Sequence, residues 1–548
     1  MTAAAPALLV RMMRTSPLRH GVFRWFYIGS IGAALGYTMQ ATMAAWLMAT
    51  LTPSALMVAL VQSASTGPSL LFGLFAGSLA DIVDRRRVVL VTQIVLCVAA
   101  AMLGVAELAG VIGPVSLLVI TFVIGAGFTV YLPAQQASVN DLVDRSDLPR
   151  AVALGAVAFN VARAVGPALA GAIAAWLGSG SAILSSAAFF LVMIVAISRW
   201  QHAAPVMPGV PETLLSGVRS GLRFARHSPL MRALLLRNVT FSLCASAVWA
   251  LLPLVARDQL QMDAAGFGLL SAAFGIGAIL GALTLPREIQ RISLQKVVDS
   301  AAVLWVAASL LIALSTITSL AVVGMFAAGI AWVGVLASLS AGTQSAAPAW
   351  VRARALAMNL VANQTCLALG SALWGVLAST FSIRIALAAS SASLVVLLFL
   401  HRRVRVRMGE ESDVMPGAQL PDLGLTVPPR PDDGPVLIQI EYRIAAEARN
   451  AFLKAMREME RVRRRNGAYE WRVFRDLESD DRFVERYIID SWAEYQRLRA
   501  RMTIADRAVN QRVADLQRPG TEMRISRFIN MDPRMVRESM HEPTLPHG

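Results

Sequence analysis

Twelve apolar runs, each close to the length needed to cross a bilayer, occupy the first 400 residues and leave this chain little choice of fold. They cover residues 23–50, 55–79, 88–110, 114–139, 151–178, 180–198, 234–256, 264–286, 297–316, 318–347, 353–379 and 382–400. In hydrocarbon every backbone N–H and C=O must be paired within the protein, and a run of about twenty apolar residues achieves that as a helix. The sequence is 56% hydrophobic and 16% charged, too apolar for a soluble chain of 548 residues. The expectation is an all-α polytopic membrane protein of twelve transmembrane helices.

A repeat splits the twelve into two sets of six. Arg150–Gly171 (RAVALGAVAFNVARAVGPALAG) and Arg354–Gly375 (RALAMNLVANQTCLALGSALWG) lie 204 residues apart and agree at ten of twenty-two positions. The same offset pairs Gly73 with Gly277, Gly77 with Gly281 and Leu79 with Leu283. Two similar six-helix bundles facing each other are the usual build of a solute transporter. The expected domains are an N-terminal bundle over 1–198, a central loop over 199–233 and a C-terminal bundle over 234–400. A basic, Pro-rich linker follows over 401–435, then a small folded domain over 436–530 and a disordered tail over 531–548.

The net charge of +15 could suggest nucleic acid, but its placement argues against such a partner. Residues 1–400 hold 23 Lys and Arg against 11 Asp and Glu, and 20 of those cations fall at the amino terminus or in alternate connections. The positive-inside rule then predicts both termini and the central loop on the cytoplasmic side of a bacterial inner membrane. The first run is about 28 residues long and lacks a cleavage signature, so it reads as a retained helix and not a signal peptide. Cys97, Cys244 and Cys366 stand singly, and the six histidines fall in loops, termini or the tail, so no metal or disulfide site is indicated. No phosphate-binding G-x-x-x-x-G-K-[ST] loop is present, and no cofactor is expected.

The connection after the second run reads Gly77-Ser-Leu-Ala-Asp81-Ile-Val-Asp84-Arg85-Arg86-Arg87. It resembles the G-x-L-a-D-r-x-G-r-r signature of the major facilitator superfamily, with Asp84 where the second glycine usually stands. The resemblance implies close helix packing at Gly77 and a gating latch in which Asp81 meets the start of the eleventh helix, with Arg354 or Arg150 as partner. Asn160-Val-Ala-Arg163-Ala-Val-Gly166-Pro167-Ala-Leu-Ala-Gly171 resembles the Gly-Pro signature on the fifth helix of superfamily exporters, which implies outward transport. Its echo, Gly370-Ser371-Ala-Leu-Trp-Gly375, lacks the proline.

Arg163 is the only charged residue deep within a run, and a cation at that depth faces a cavity or a partner. It contacts an anionic or oxygen-rich substrate, or it forms a salt bridge or cap inside the bundle; both readings stand. Gln40, Gln62, Gln93, Asn160, Asn238, Asn363 and Gln364 are further candidates for a substrate cavity, or for interhelical hydrogen bonds. Cavity-lining helices in the superfamily are the first, fourth, seventh and tenth, which adds Tyr37, Gln135, Trp332 and Gln344. Trp46 and Trp249 read as interfacial belt residues. Proton coupling, implied by the superfamily, would have to use Glu107, Asp258, Asp263, Asp141 or Asp81, since no run has a carboxylate near its centre.

Arg402, Arg403, Arg405 and Arg407 form a cluster suited to anionic headgroups, and 409–435 reads as a flexible linker. Beyond it, strands at 436–443, 469–477, 483–492 and 522–529 and helices at 445–465 and 493–516 give a β-α-β-β-α-β order, which is ferredoxin-like. That order resembles the dimeric α/β barrels of the antibiotic-biosynthesis-monooxygenase class, with Trp492 at the end of the third strand, and implies dimerisation or regulation. GAYEWRVFRDLESDDRFVERYIIDSW followed by AEYQRLRARMTIADRAV resembles the tail common in one branch of the superfamily, the transmembrane secretion effectors related to the enterobactin exporter, and that resemblance covers nearly the whole chain. The expected function is a secondary transporter exporting a siderophore or other secondary metabolite by alternating access. Alternatives are a broad multidrug antiporter and, less favoured, a membrane-anchored cofactor-free monooxygenase.

Overall fold

The structure, a computed structural model, describes residues 17–144, 146–200, 214–415, 417 and 429–530. The membrane-spanning elements are α1 (Gly21–Leu51), α2 (Ala55–Thr66 and Pro68–Ile82), α3 (Arg85–Leu108), α4 (Pro114–Leu142), α5 (Leu148–Leu177) and α6 (Ser179–Ser198). They continue with α7 (Pro229–Leu254), α8 (Ala264–Arg291), α9 (Leu294–Leu314), α10 (Thr318–Ala346), α11 (Arg352–Thr380) and α12 (Ile383–Leu400). Among the described residues eleven helices are long and apolar enough to cross a membrane, by length and composition alone. The twelfth expected span, α1, is 31 residues long, but its glycines, threonines, Tyr37 and Gln40 lower its hydropathy.

Local chemistry sets the helix ends. Pro68 cannot donate a backbone hydrogen bond, so α2 is interrupted at Gly67. Asp84, unexpected in its motif, caps α3 by accepting from the Arg86 backbone N–H at 2.9 Å. Gly178, at φ +84°, makes the tight turn from α5 to α6 that a side chain would strain. Asp263 and Ser382 cap α8 and α12.

By compactness the chain forms two units. The first falls within Met1–Leu214, Ala233–Gly342 and Leu356–Arg407, and the second within Leu215–Arg232, Thr343–Ala355 and Met408–Gly548. The central loop and the linker, expected as separate segments, thus contribute to the unit that holds the C-terminal domain. Residues 201–213, 418–428 and 531–548 lie outside the described residues, so the expectations made for them are not addressed.

In the first unit the 204-residue repeat reappears as matched helix contacts. A Cβ on Gly166 of α5 would run into Thr38 of α1, and one on Gly370 of α11 would run into Ser246 and Leu243 of α7. Five residues further along each helix the pairing crosses between the halves. Gly171 of α5 lies against Ala264 and Gly268 of α8, while Gly375 of α11 lies against Ala59 and Leu56 of α2. Gly125 of α4 against Ser65 of α2 has its counterpart in Gly329 of α10 against Phe274 of α8. Small residues let backbones approach closely, and van der Waals packing is the main source of helix association in lipid.

In the second unit, β1 (Val436–Arg443), β2 (Tyr469–Arg475), β3 (Arg482–Ile489) and β4 (Arg524–Ile529) form an antiparallel sheet in the order β2-β3-β1-β4. α13 (Arg449–Asn466) joins β1 to β2, and α14 (Trp492–Arg501) with α15 (Ile504–Ala514) joins β3 to β4. Two expectations are corrected. Trp492 starts α14 and does not end the third strand, because Ser491 caps that helix through the Glu494 N–H. The expected helix over 493–516 is two helices, because Thr503 caps α15 and ends the first. Ile438, Ile440 and Tyr442 pack beneath Phe452, Met456 and Met459 of α13, which is why β1 alternates buried and half-buried residues.

Candidate functional site

Arg163 lies about 22 Å along the 30-residue α5, taking a rise of 1.5 Å per residue. Its guanidinium carbon lies 5.9 Å from the ring centroid of Phe159, 5.9 Å from Trp249, 5.7 Å from Phe274 and 5.9 Å from Trp332. Phe159 is one turn back on the same helix, while α7, α8 and α10 of the other half supply the remaining rings. These rings pack edge to face, with Trp249 4.5 Å from Phe274 and 5.6 Å from Trp332. Each such cation–π contact is worth about 0.5–2 kcal/mol, rising as water is excluded. Arg163 is half-buried, and among the described residues it makes no ion pair or hydrogen bond. Of the two readings of Arg163, the internal salt bridge therefore has no partner among those residues.

The backbone beneath the guanidinium is also unusual. Pro167 has no N–H to give the Arg163 carbonyl, and the next carbonyl back, that of Ala162, accepts at 3.0 Å from the Thr38 hydroxyl of α1. Beside the ring cluster lies a cavity of about 20 Å³, room for one water, lined by Ala41, Val61, Gln62, Ser65, Thr121 and Trp249 among others. Trp249 Nε1 and Thr121 Oγ1 are buried there without a hydrogen-bond partner among the described residues. Tyr37 stacks on Phe128 at 3.7 Å and shares a 3.1 Å hydrogen bond with Ser65.

On one side of Arg163 the two halves close on each other. Gly275 of α8 sits against Ala164, Gly268 against Gly171, and the Ser63 hydroxyl donates to the Ala368 carbonyl at 2.7 Å. Arg257, beyond α7, donates to the Thr52 carbonyl after α1 at 3.3 Å. At the opposite, cation-rich end, Arg85 donates to both oxygens of Asp141 at 2.9 Å, and Arg237 to Asp299 at 3.0 Å.

Other expected residues fall in different places. Asn238 donates to the Asn359 carbonyl at 2.8 Å and accepts from Ser242, whose hydroxyl also accepts from Asn363 at 2.7 Å. This buried network ties α7 to α11. Asn160 bonds back to the Ala156 carbonyl, Gln135 donates to Ser30, Gln344 is exposed near the end of α10, and Gln364 is half-buried. Gln40 and Gln93 are buried with amide atoms unpaired among the described residues. Arg354 donates to Ser220 at 3.0 Å. The Asp81 side chain and the surroundings of Gly77, and with them the latch, lie outside the described residues.

The interfacial placement of two tryptophans is overturned. Trp46 is buried and stacks on Phe267 of α8, and Trp249 sits inside the ring cluster. The α7 helix runs on through a π-turn to Gln259, so position 249 is well inside its end. Phe159, Phe274 and Asn359 went unnoticed in the sequence. Phe159 and Asn359 each stand four residues before a flagged residue, a spacing that puts them on the same helix face.

The sequence profile of the transmembrane secretion effector family matches residues 13–535. The chain belongs to that family. This transmembrane secretion effector is 30% identical over 261 residues to the multidrug efflux pump Tap of Mycolicibacterium fortuitum, covering 46% of this chain and 63% of Tap. It is 29% identical over 294 residues to the enterobactin exporter EntS of Shigella boydii, covering 50% of this chain and 65% of EntS. The matched regions thus span less than two thirds of either relative. Among solved structures, a mutant form of the nucleoside transporter NupG aligns with a TM-score of 0.59 at 16% identity, over 70% of this chain and 99% of NupG. At that identity the likeness concerns the fold alone, that of a multi-pass membrane protein.

Proposed function

We propose that this transmembrane secretion effector is a secondary transporter that exports a small anionic or oxygen-rich molecule by alternating access, with Arg163 as its main substrate contact. The observation that carries this is the Arg163 guanidinium, set among four rings from both halves with no carboxylate against it among the described residues. Five N–H donors of fixed geometry suit a carboxylate or a pair of adjacent oxygens, and the surrounding indoles suit a flat apolar body. The likeness to EntS supports a siderophore or related secondary metabolite. The likeness to Tap and the aromatic lining support a second reading, broad efflux of hydrophobic drugs. Contacts between the halves on one side of Arg163 support a state open toward the cation-rich end, which the positive-inside rule makes the cytoplasmic face of the inner membrane, with both termini there.

Proton coupling has fewer candidates than the sequence offered. Asp258 pairs with Arg257, Asp141 pairs with Arg85 and Asp263 caps α8, leaving Glu107 and Asp81. The C-terminal sheet order is that of a ferredoxin-like domain. Its face away from the helices exposes Phe474 and Phe528, and we read it as the surface for dimerisation with a second copy, which Phe528→Glu would weaken in light scattering. Inside the domain Arg463, Tyr442 and Trp471 all donate to the Glu485 carboxylate, which supports a structural role over oxygenase chemistry.

The test is substrate uptake into inverted vesicles with and without a proton gradient. Arg163→Ala abolishing catecholate or carboxylate uptake while sparing neutral drugs supports the first reading. Uptake of both classes insensitive to Arg163→Ala removes it.

A further inference from the structure

The second unit gathers three parts of the chain, far apart in sequence, around α14. The first is the central-loop helix Leu214–His227, the second is the connection between α10 and α11, and the third is the C-terminal domain. Glu494 of α14 accepts from Arg223 of the loop helix at 3.0 Å, from Arg501 at 2.9 Å and from Arg497 at 2.7 Å. Arg223 and Glu494 are 17% and 13% exposed, so water screens this pair little.

Aromatic contacts hold the same three parts together. Trp350, in the α10–α11 connection, meets the edge of the Phe224 ring at 6.0 Å, and Arg501 lies over the Trp350 indole at 4.2 Å. Arg465 of α13 also reaches the Phe224 ring, at 6.0 Å. Arg354, at the start of α11, donates to Ser220 of the loop helix. Further bonds fix the chain that leads into the domain: the Gly409 N–H donates to Ser345 at 2.9 Å and the Ile504 N–H to the Met415 carbonyl at 3.1 Å.

A basic amphipathic helix between two bundles would ordinarily read as a free tether or a membrane-surface helix. Here Ser220, Gly221, Phe224 and Ala225, one stripe of the loop helix, are buried, while Arg219, Leu222 and Arg226 are exposed. Its apolar face is already occupied by protein. The loop helix is separated from α7 by Ser228 alone, and Trp350 sits between α10 and α11. Ends of three second-half helices therefore belong to the same unit as the domain.

We propose that the C-terminal domain is an internal brace, which through Glu494, Arg501 and Arg465 ties the central-loop helix to the α10–α11 connection so that the three move as one body. The brace rests on these contacts alone. Its effect on turnover rests on the exporter reading.

Hydrogen–deuterium exchange on the full chain in lipid nanodiscs tests it. Losing a charge-assisted hydrogen bond shifts a local opening equilibrium by about tenfold or more. In Glu494→Gln and Trp350→Ala, exchange is expected to rise by that factor across 219–227 and 347–355, with β1 and β3 unchanged. If the strands also exchange faster, the domain itself has loosened. Arg223→Ala, which removes nothing from the domain, then decides: faster exchange across 347–355 supports the brace, and unchanged exchange overturns it. In vesicles the same variants should slow turnover at unchanged half-saturation. Altered exchange without any measurable transport would count against the exporter reading and leave the brace standing.

Discussion

Two arginines in this protein are enclosed by their neighbours in opposite ways. Arg463 of α13 is paired with a carboxylate: it bonds Glu485 at 3.1 Å and lies over the Tyr487 ring at 5.2 Å, and Glu485 accepts also from Trp471 and Tyr442, both at 2.8 Å. Burial and the neighbouring carboxylate hold the Tyr442 phenol well above its ordinary value, so it stays a donor. Arg163 of α5 has four rings within 6 Å and donors that meet no acceptor among the described residues. Donors paired with a buried carboxylate make Arg463 part of the architecture. Donors without a protein acceptor among the described residues, at the junction of two halves, are what the proposed substrate role of Arg163 rests on.

The contrast can be broken most sharply at Glu485. Removing one partner of a buried pair strands the other charge, so Glu485→Ala should destabilise the C-terminal domain by about 3–5 kcal/mol, read as lost exchange protection in β1 and β3. Arg163→Ala should do the reverse. Uptake of an anionic substrate should fall about tenfold to a hundredfold, the worth of one or two charge-assisted hydrogen bonds, with thermal stability unchanged or raised. A drop in melting temperature with transport intact would make Arg163 a second Arg463.

The backbone contacts between the halves give a third comparison. Gly268→Val would press α8 against α5 at Gly171 and should favour the opposite state, read as increased cysteine labelling at that end; unchanged labelling would mean the contact does not seal. A smaller effect belongs to Asp84, whose capping bond is worth about 0.5–2 kcal/mol. Asp84→Ala should fray the start of α3 in exchange measurements and leave substrate affinity alone.

The smallest expected effect is with pH. Burial works against the Glu494 charge, but Arg501, Arg497 and Arg223 outweigh it and hold the carboxyl below the usual carboxylate range. A depressed pKa gives stability that is complete above the unfolded value of about 4.3 and is lost as pH falls through the lower folded value. The contact between α14 and the loop helix should therefore be constant from about pH 8 to 5 and loosen below about 4. Loosening near pH 6 would implicate another group.

The chain's own order of residues determined the membrane spans, the duplicated halves, the four strands of the C-terminal domain and the oddity of Arg163, because hydropathy and spacing are local along the chain. It could not determine what surrounds Arg163. Phe159 lay within reach of a spacing argument, but Trp249, Phe274 and Trp332 stand on three helices of the other half, and their convergence is a consequence of packing. The same holds for Asn359, and for Trp46 and Trp249, placed at the interface by their distance from a run's end and drawn inside by where neighbouring helices lie. Tertiary structure alone decided that the loop helix buries its stripe in the second unit, since an amphipathic pattern states that a face will be covered and not by what.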